Sequence, residues 1–328
     1  MYCHQCGAKI ADTACFCPYC GTKLEHVSPH VPGSTLLDVP AAARSQKRDV
    51  RGSFQLLWSL LALAGVFFIQ VLGVIVAMLF DFDLELVSVG AGAFGAVMML
   101  FVLGGGKLVS FSRAKVAWVM RQGLWSVVVS IALVAYESIA LLVDGSFVVV
   151  DGWPGRICYI ALLTFLIGLF EETVFRGILL GGLVARWGST TRGVIACAIV
   201  SSVLFGCAHV EWWSMDVTDP LQVAQAALKI AQTGTYAFFL ATMVLCTREL
   251  WGVSGIHALN DFLLMFCSIG LLGESLEVSY VSEGSDGMVA LVLYIVVTTL
   301  YIPLVVKAWR KLRDTDCVPP LLGNRQGG

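Results

Sequence analysis

Eight apolar runs, each close to the roughly 20 residues a helix needs to cross a bilayer, constrain this chain more than any other feature. They fall near residues 54–80, 87–105, 118–143, 157–186, 193–210, 222–247, 251–272 and 287–308. A hydrocarbon core offers no water to backbone amides and carbonyls, so runs of this length must close their hydrogen bonds internally as α-helices. The expected fold is therefore an all-α polytopic membrane protein with about eight transmembrane helices. Composition agrees, because 58% of the 328 residues are hydrophobic and only 13% are charged, too few to coat a soluble domain. The third run is the most diluted, by Arg121, Gln122 and Glu137.

Most charge crowds into the segments between runs, and its sign alternates there. Arg44, Lys47, Arg48 and Arg51 precede the first run; Lys107, Arg113, Lys115 and, just inside the third run, Arg121 mark the junction of the second and third; Arg186 and Arg192 mark that of the fourth and fifth; Arg248 lies between the sixth and seventh; Lys307, Arg310, Lys311 and Arg313 cluster at the end of the last. The other loops are acidic, with Arg156 the exception. Basic loops stay on the cytoplasmic side, which predicts a multi-pass cell-membrane protein with both termini in the cytoplasm. No broad basic surface exists for nucleic acid, so none is expected as a partner. The N-terminus lacks the basic-then-apolar pattern of a secretory signal. No inverted repeat of the transporter kind is visible.

The first twenty residues have a different chemistry. Cys3-x-x-Cys6 and Cys17-x-x-Cys20 supply two thiolate pairs at the spacing of a four-sulfur tetrahedral site, and Gly7 and Gly21 follow each pair as a metal knuckle's tight turn favours. The segment reads as a small zinc ribbon with a structural zinc, since the basic flank places it in the reducing compartment where disulfides are rare. Cys15 and His4 are spare candidate ligands that read as bystanders beside the four paired cysteines, and Cys158, Cys197, Cys207, Cys246 and Cys267 read as small packing residues. The expected organisation is a ribbon at 1–22, a flexible linker at 23–52, a membrane core at 53–310 and a cytoplasmic tail at 311–328.

Ionisable groups inside spans are costly and mark function by default. The fourth run reads LFEETVFRGILL, with Glu171, Glu172 and Arg176; the fifth ends LFGCAHV, with His209; the seventh begins GVSGIHALNDFLL, with His257, Asn260 and Asp261. Glu172 and Arg176 are four apart and share a helix face, so an ion pair between them lets both stay buried. Glu171 points about 100° away and is left free for chemistry. Asp261 or Asn260 is placed to orient His257 or to join it as a ligand. Glu137 reads as a packing or cavity residue, and Lys229 as a lysine snorkelling to the interface.

Two histidines with carboxylates beside them form the donor set of a hydrolytic zinc site, in which Glu171, His209 and His257 are candidate ligands to a zinc or other divalent ion. The same groups serve metal-free general-base catalysis, with Glu171 and His209 activating water. No His-Glu-x-x-His helix and no Gly-x-Ser-x-Gly elbow is present. Taken singly, the glutamate–arginine pair also reads as a structural lock and each histidine as a helix contact.

Together these segments resemble the CPBP family, the CAAX protease and bacteriocin-processing enzymes also called Abi. Its marks, Glu-Glu-x-x-x-Arg, Phe-x-x-x-His and His-x-x-x-Asn/Asp on successive helices, are matched by Glu171, Glu172 and Arg176, by Phe205 and His209, and by His257 and Asp261. The likeness covers about residues 157–272, outside the ribbon and the first spans. It implies an intramembrane endopeptidase, a metalloprotease in the metal-bound version, acting on a peptide or protein substrate at the bilayer. Glu171 would activate the water, and the histidines would hold a metal or an oxyanion. Asp261 stands where many members carry asparagine, and its added charge favours a metal. The ribbon offers a module for recruiting a substrate or partner. The competing readings are a catalytically silent binding or bacteriocin self-immunity module of the same fold, and a proton-coupled transporter.

Overall fold

A computed structural model describes residues 41–276, 280–314 and 321–322, with side chains from residue 53 onward. The ribbon cysteines Cys3, Cys6, Cys17 and Cys20 lie outside the described residues.

Among the described residues the regular secondary structure is all helical, and eight helices are long and apolar enough to cross a membrane. We label them α1 (Ala41–Phe80), α2 (Leu84–Val102), α3 (Arg113–Asp144), α4 (Trp153–Trp187), α5 (Thr191–Ala208), α6 (Pro220–Thr247), α7 (Trp251–Leu271) and α8 (Gly284–Arg313). The protein is a multi-pass membrane protein, as its apolar runs required. The first helix begins at Ala41, inside the stretch expected to be linker.

Local chemistry sets the helix ends. Asp83 accepts the Leu86 amide at 2.8 Å, Thr190 the Gly193 amide at 3.1 Å and Asp219 the Leu221 amide at 2.9 Å, each satisfying a donor that the first turn leaves free. Pro154 and Pro220 occupy first turns, where a missing N–H costs nothing. Gly145 closes α3 at φ +78°, a left-handed conformation that glycine adopts without a Cβ clash. The start of α7 is anchored to the short turn Gly106–Val109: the Leu250 amide donates to the Leu108 carbonyl and the Trp251 indole to the Val109 carbonyl, both at 2.8 Å.

Lipid-facing and buried positions separate by helix. Phe68, Met78, Leu79 and Val143 lie open on α1 and α3, where acyl chains would cover them. The centre is built by α6 and α7, whose Phe239, Leu240, Met243, Val253 and Ile256 are fully enclosed. Helix α7 packs on α3 and α4, α6 packs on α5 and α8, and α1 and α2 pair at the side and lean on α4. Small residues make the close approaches possible. A Cβ on Gly168 of α4 would lie 2.7 Å from the Ser254 carbonyl of α7, so these backbones nearly touch.

Candidate functional site

The site begins with the form of α4. The helix is regular from Trp153 to Glu172, opens into a π-turn over Thr173–Leu179, and resumes at Leu180–Trp187. Such widened turns cluster at functional sites because they re-aim the side chains around them. Here the π-turn starts directly after Glu171 and Glu172 and contains Arg176. Arg176 Nη1 lies 3.0 Å from Glu172 Oε1, and its guanidinium stacks 4.1 Å above the Phe205 ring of α5. Both partners of this pair are sealed from solvent, with exposures of 1% and 0%. The aromatic face and the carboxylate together hold a cation that could not otherwise remain at this depth.

Helix α7 presents His257 to that pair. Its Nδ1 lies 2.8 Å from Glu172 Oε1. A carboxylate oxygen so placed accepts, so Nδ1 carries the proton and Nε2 turns the other way. The sequence offered Asp261 or Asn260 to orient His257 or to join it as a ligand; in the structure the carboxylate at Nδ1 is that of Glu172. Asp261 stands on the opposite edge of the ring, with Oδ2 3.4 Å from Nε2. Asn260 faces away from the imidazole altogether. Its Oδ1 accepts from the Ser130 hydroxyl at 2.8 Å, and the two hydrogens on Nδ2 are shared among the Ser126 hydroxyl, the Tyr236 hydroxyl and the Ile256 carbonyl at 3.0, 2.7 and 2.8 Å. One fully satisfied amide thus ties α7 to α3 and α6.

His209 arrives from the end of α5. Its Nδ1 donates to the Phe205 carbonyl at 2.8 Å, because a carbonyl can only accept, and Nε2 again points into the site. Glu171 Oε2 lies 3.9 Å from His209 Nε2 and 3.6 Å from His257 Nε2. That oxygen makes no hydrogen bond among the described residues. The site therefore has a sealed floor, of Glu172 and Arg176, and an accessible rim, where Glu171, His209 and Asp261 keep 20–26% of their side-chain surface open. Carboxylates reachable at bilayer depth require a water-filled approach.

The structure thus gathers Glu171, Glu172, Arg176, His209, His257 and Asp261 in one place. As the side chains stand, no group of three or more His, Cys, Asp or Glu residues is placed to hold a metal ion among the described residues. The donor chemistry nonetheless suits a cation, with two imidazole lone pairs and an unpaired carboxylate oxygen facing one another. Sequence reasoning missed Tyr236, whose ring packs edge-on to His257 at 6.1 Å while its hydroxyl holds Asn260. Nothing in its apolar surroundings distinguished this tyrosine from a packing residue. Lys229, expected to snorkel to the interface, is instead buried at 8% exposure beside this site.

Geometry and placement define a membrane-embedded glutamate–histidine centre carried by a helical bundle. Residues 153–263 match the family described as type II CAAX prenyl endopeptidase Rce1-like, and residues 2–24 match the zinc-ribbon domain family. No curated protein and no solved structure matches the chain. The first match supports, at the level of the family, an intramembrane endopeptidase, a peptide hydrolase, and the second suggests that the N-terminal segment binds zinc.

Proposed function

We propose that the protein cleaves peptide bonds within or at the surface of the bilayer, using a water activated by Glu171. The observation that carries this reading is the pairing of roles on adjacent residues: Glu172 is sealed between Arg176 and His257, while Glu171 Oε2 faces two Nε2 atoms with no partner of its own. Glu171 Oε2 and His209 Nε2, 3.9 Å apart, would each accept a hydrogen from the attacking water once the side chains part to admit it. Its lone pair is then aimed at a substrate carbonyl. Glu171 takes the proton as the oxygen–carbon bond forms, and returns it to the departing amine as the carbon–nitrogen bond breaks. The oxyanion formed in between needs a donor, and His257 supplies one when its ring donates from both nitrogens, Nδ1 to Glu172 and Nε2 to the oxyanion. Arg176 acts indirectly, by fixing Glu172 and through it the imidazole.

The shared direction of both Nε2 atoms favours a second reading. A divalent ion on His209, His257 and Glu171 would polarise the carbonyl, and these side chains would have to draw together to bind it. The ribbon would hold its own zinc on Cys3, Cys6, Cys17 and Cys20 at the cytoplasmic N-terminus. The alternation of loop charge supports termini on the cytoplasmic side, and the substrate is a peptide or membrane-bound protein.

The test is cleavage of a quenched peptide library by the full-length protein in liposomes, with bound zinc counted in parallel. Glu171→Gln is expected to lower cleavage about 10²- to 10⁴-fold. Loss with Glu172→Gln while Glu171→Gln is tolerated would reverse the two roles. Zinc that disappears in a Cys17→Ser/Cys20→Ser variant, with cleavage intact, selects the metal-free mechanism. Zinc that persists and is lost with His209→Ala selects the metal-bound one. If no form cleaves any peptide, the silent binding or immunity module takes its place.

A further inference from the structure

Lys229 has a use for which the proposed chemistry makes no provision. It lies on α6, is more than nine-tenths buried, and its ammonium makes no hydrogen bond and no ion pair among the described residues. Its neighbours are aromatic: Nζ sits 3.8 Å from the centre of the Tyr280 ring and 5.5 Å from that of Tyr294. The Tyr294 hydroxyl donates to the Tyr280 backbone carbonyl at 2.7 Å, so α8 fixes the loop residue in place over the cation. Asp261 attracts the ammonium and His209 lies in its field, which places Lys229 at the edge of the glutamate–histidine site. Asp261 is nevertheless beyond ion-pair distance, and its Oδ2 is directed at His257. A π-face stabilises a cation but takes up none of its three N–H donors. A buried ammonium held in this way lacks the anion that normally accompanies it.

We propose that Lys229, in its tyrosine cage, is a substrate subsite that binds a peptide carboxylate close to the scissile bond. Resting on the hydrolase reading above, this assigns the enzyme a preference for substrates with a carboxylate near the cleaved bond. A chain terminus and an acidic side chain offer the same chemistry. The cage suits a carboxylate because it leaves the N–H donors free for one.

The experiment uses the full-length protein in liposomes and two matched peptide pairs, free acid against C-terminal amide, and glutamate against glutamine next to the scissile bond. Equilibrium binding of each labelled peptide is measured alongside KM and kcat. With the wild type, neutralising the recognised carboxylate is expected to raise KM and Kd about tenfold or more, with little change in kcat. Only one pair will respond, and it names the source. Lys229→Gln abolishes that discrimination, and Lys229→Arg keeps most of it. Equal KM and Kd across both pairs in the wild type overturns the subsite while leaving the hydrolase intact. Carboxylate-selective binding without cleavage of any peptide overturns the hydrolase and leaves the subsite standing. Should Lys229→Gln fail to fold, a Tyr280→Leu variant that breaks the cage must also lose discrimination; if it retains discrimination, the subsite is refuted.

Discussion

Replacing Gly168 with alanine tests whether helix spacing sets the chemistry. Gly168 lies on α4 one turn before Glu171, and a Cβ there would meet the Ser254 carbonyl at 2.7 Å, the Ala258 amide nitrogen at 3.0 Å and the Ala258 Cβ at 3.1 Å. Two of these atoms are backbone and the third is attached to it, so no flexible side chain can swing aside. Restoring the carbonyl contact to an ordinary 3.4 Å moves α7 away from α4 by about 0.7 Å. His257 lies between Ser254 and Ala258 and must move with them, which stretches its 2.8 Å hydrogen bond to Glu172 towards the limit of such a bond. Overpacking of this kind costs about 1–3 kcal/mol of stability, and a displacement approaching 1 Å at a reacting group lowers the rate by about 10²-fold. The assay is kcat for peptide cleavage in liposomes with thermal unfolding of the same preparation. Gly255→Ala is the control, since a Cβ on that α7 glycine meets nothing within 4 Å. Wild-type kcat in a folded Gly168→Ala protein would refute the claim that α4–α7 contact positions the imidazole.

Three other perturbations follow from the same structure. Asn260→Ala leaves the hydroxyls of Ser126, Ser130 and Tyr236 without their shared partner, so thermal unfolding should show a loss of about 1–3 kcal/mol. Leu322 is almost wholly buried and packs on Gly105 and Gly181, so Leu322→Ala should cost about 2–5 kcal/mol, and an unchanged melting temperature would show that the tail does not hold this seat in solution. Glu249, in the α6–α7 loop, caps the Gly252 amide at 3.0 Å, yet burial outweighs this and raises its carboxyl above the usual range. The folded state therefore binds the proton more tightly than the unfolded one, and stability falls as pH rises from about 4.3 through the raised value. Glu249→Gln should flatten that decline in melts run upward from about pH 4.5, and a decline as steep as the wild type's would assign it to other groups.

What could be read from the chain alone follows from the strictness of the bilayer. Apolar length dictates helices, and the eight runs became eight membrane-capable helices. The price of burying charge made the residues of the site visible, because Glu171, Glu172, Arg176, His209, His257 and Asp261 stand out against apolar neighbours. Four-residue spacing on one helix was enough to pair Glu172 with Arg176. Contacts between helices carry no such periodic signal. That Glu172, rather than Asp261, holds His257 Nδ1, that Asn260 turns to α3 and α6, and that Lys229 lies under Tyr280 all depend on how α4, α6, α7 and α8 pack. The sequence by itself determined that this protein lives in a membrane and which polar side chains it carries there, since hydration energy acts residue by residue. Only the tertiary structure decided which face which, because close helix packing at points such as Gly168 sets the angle and depth from which each side chain enters the site.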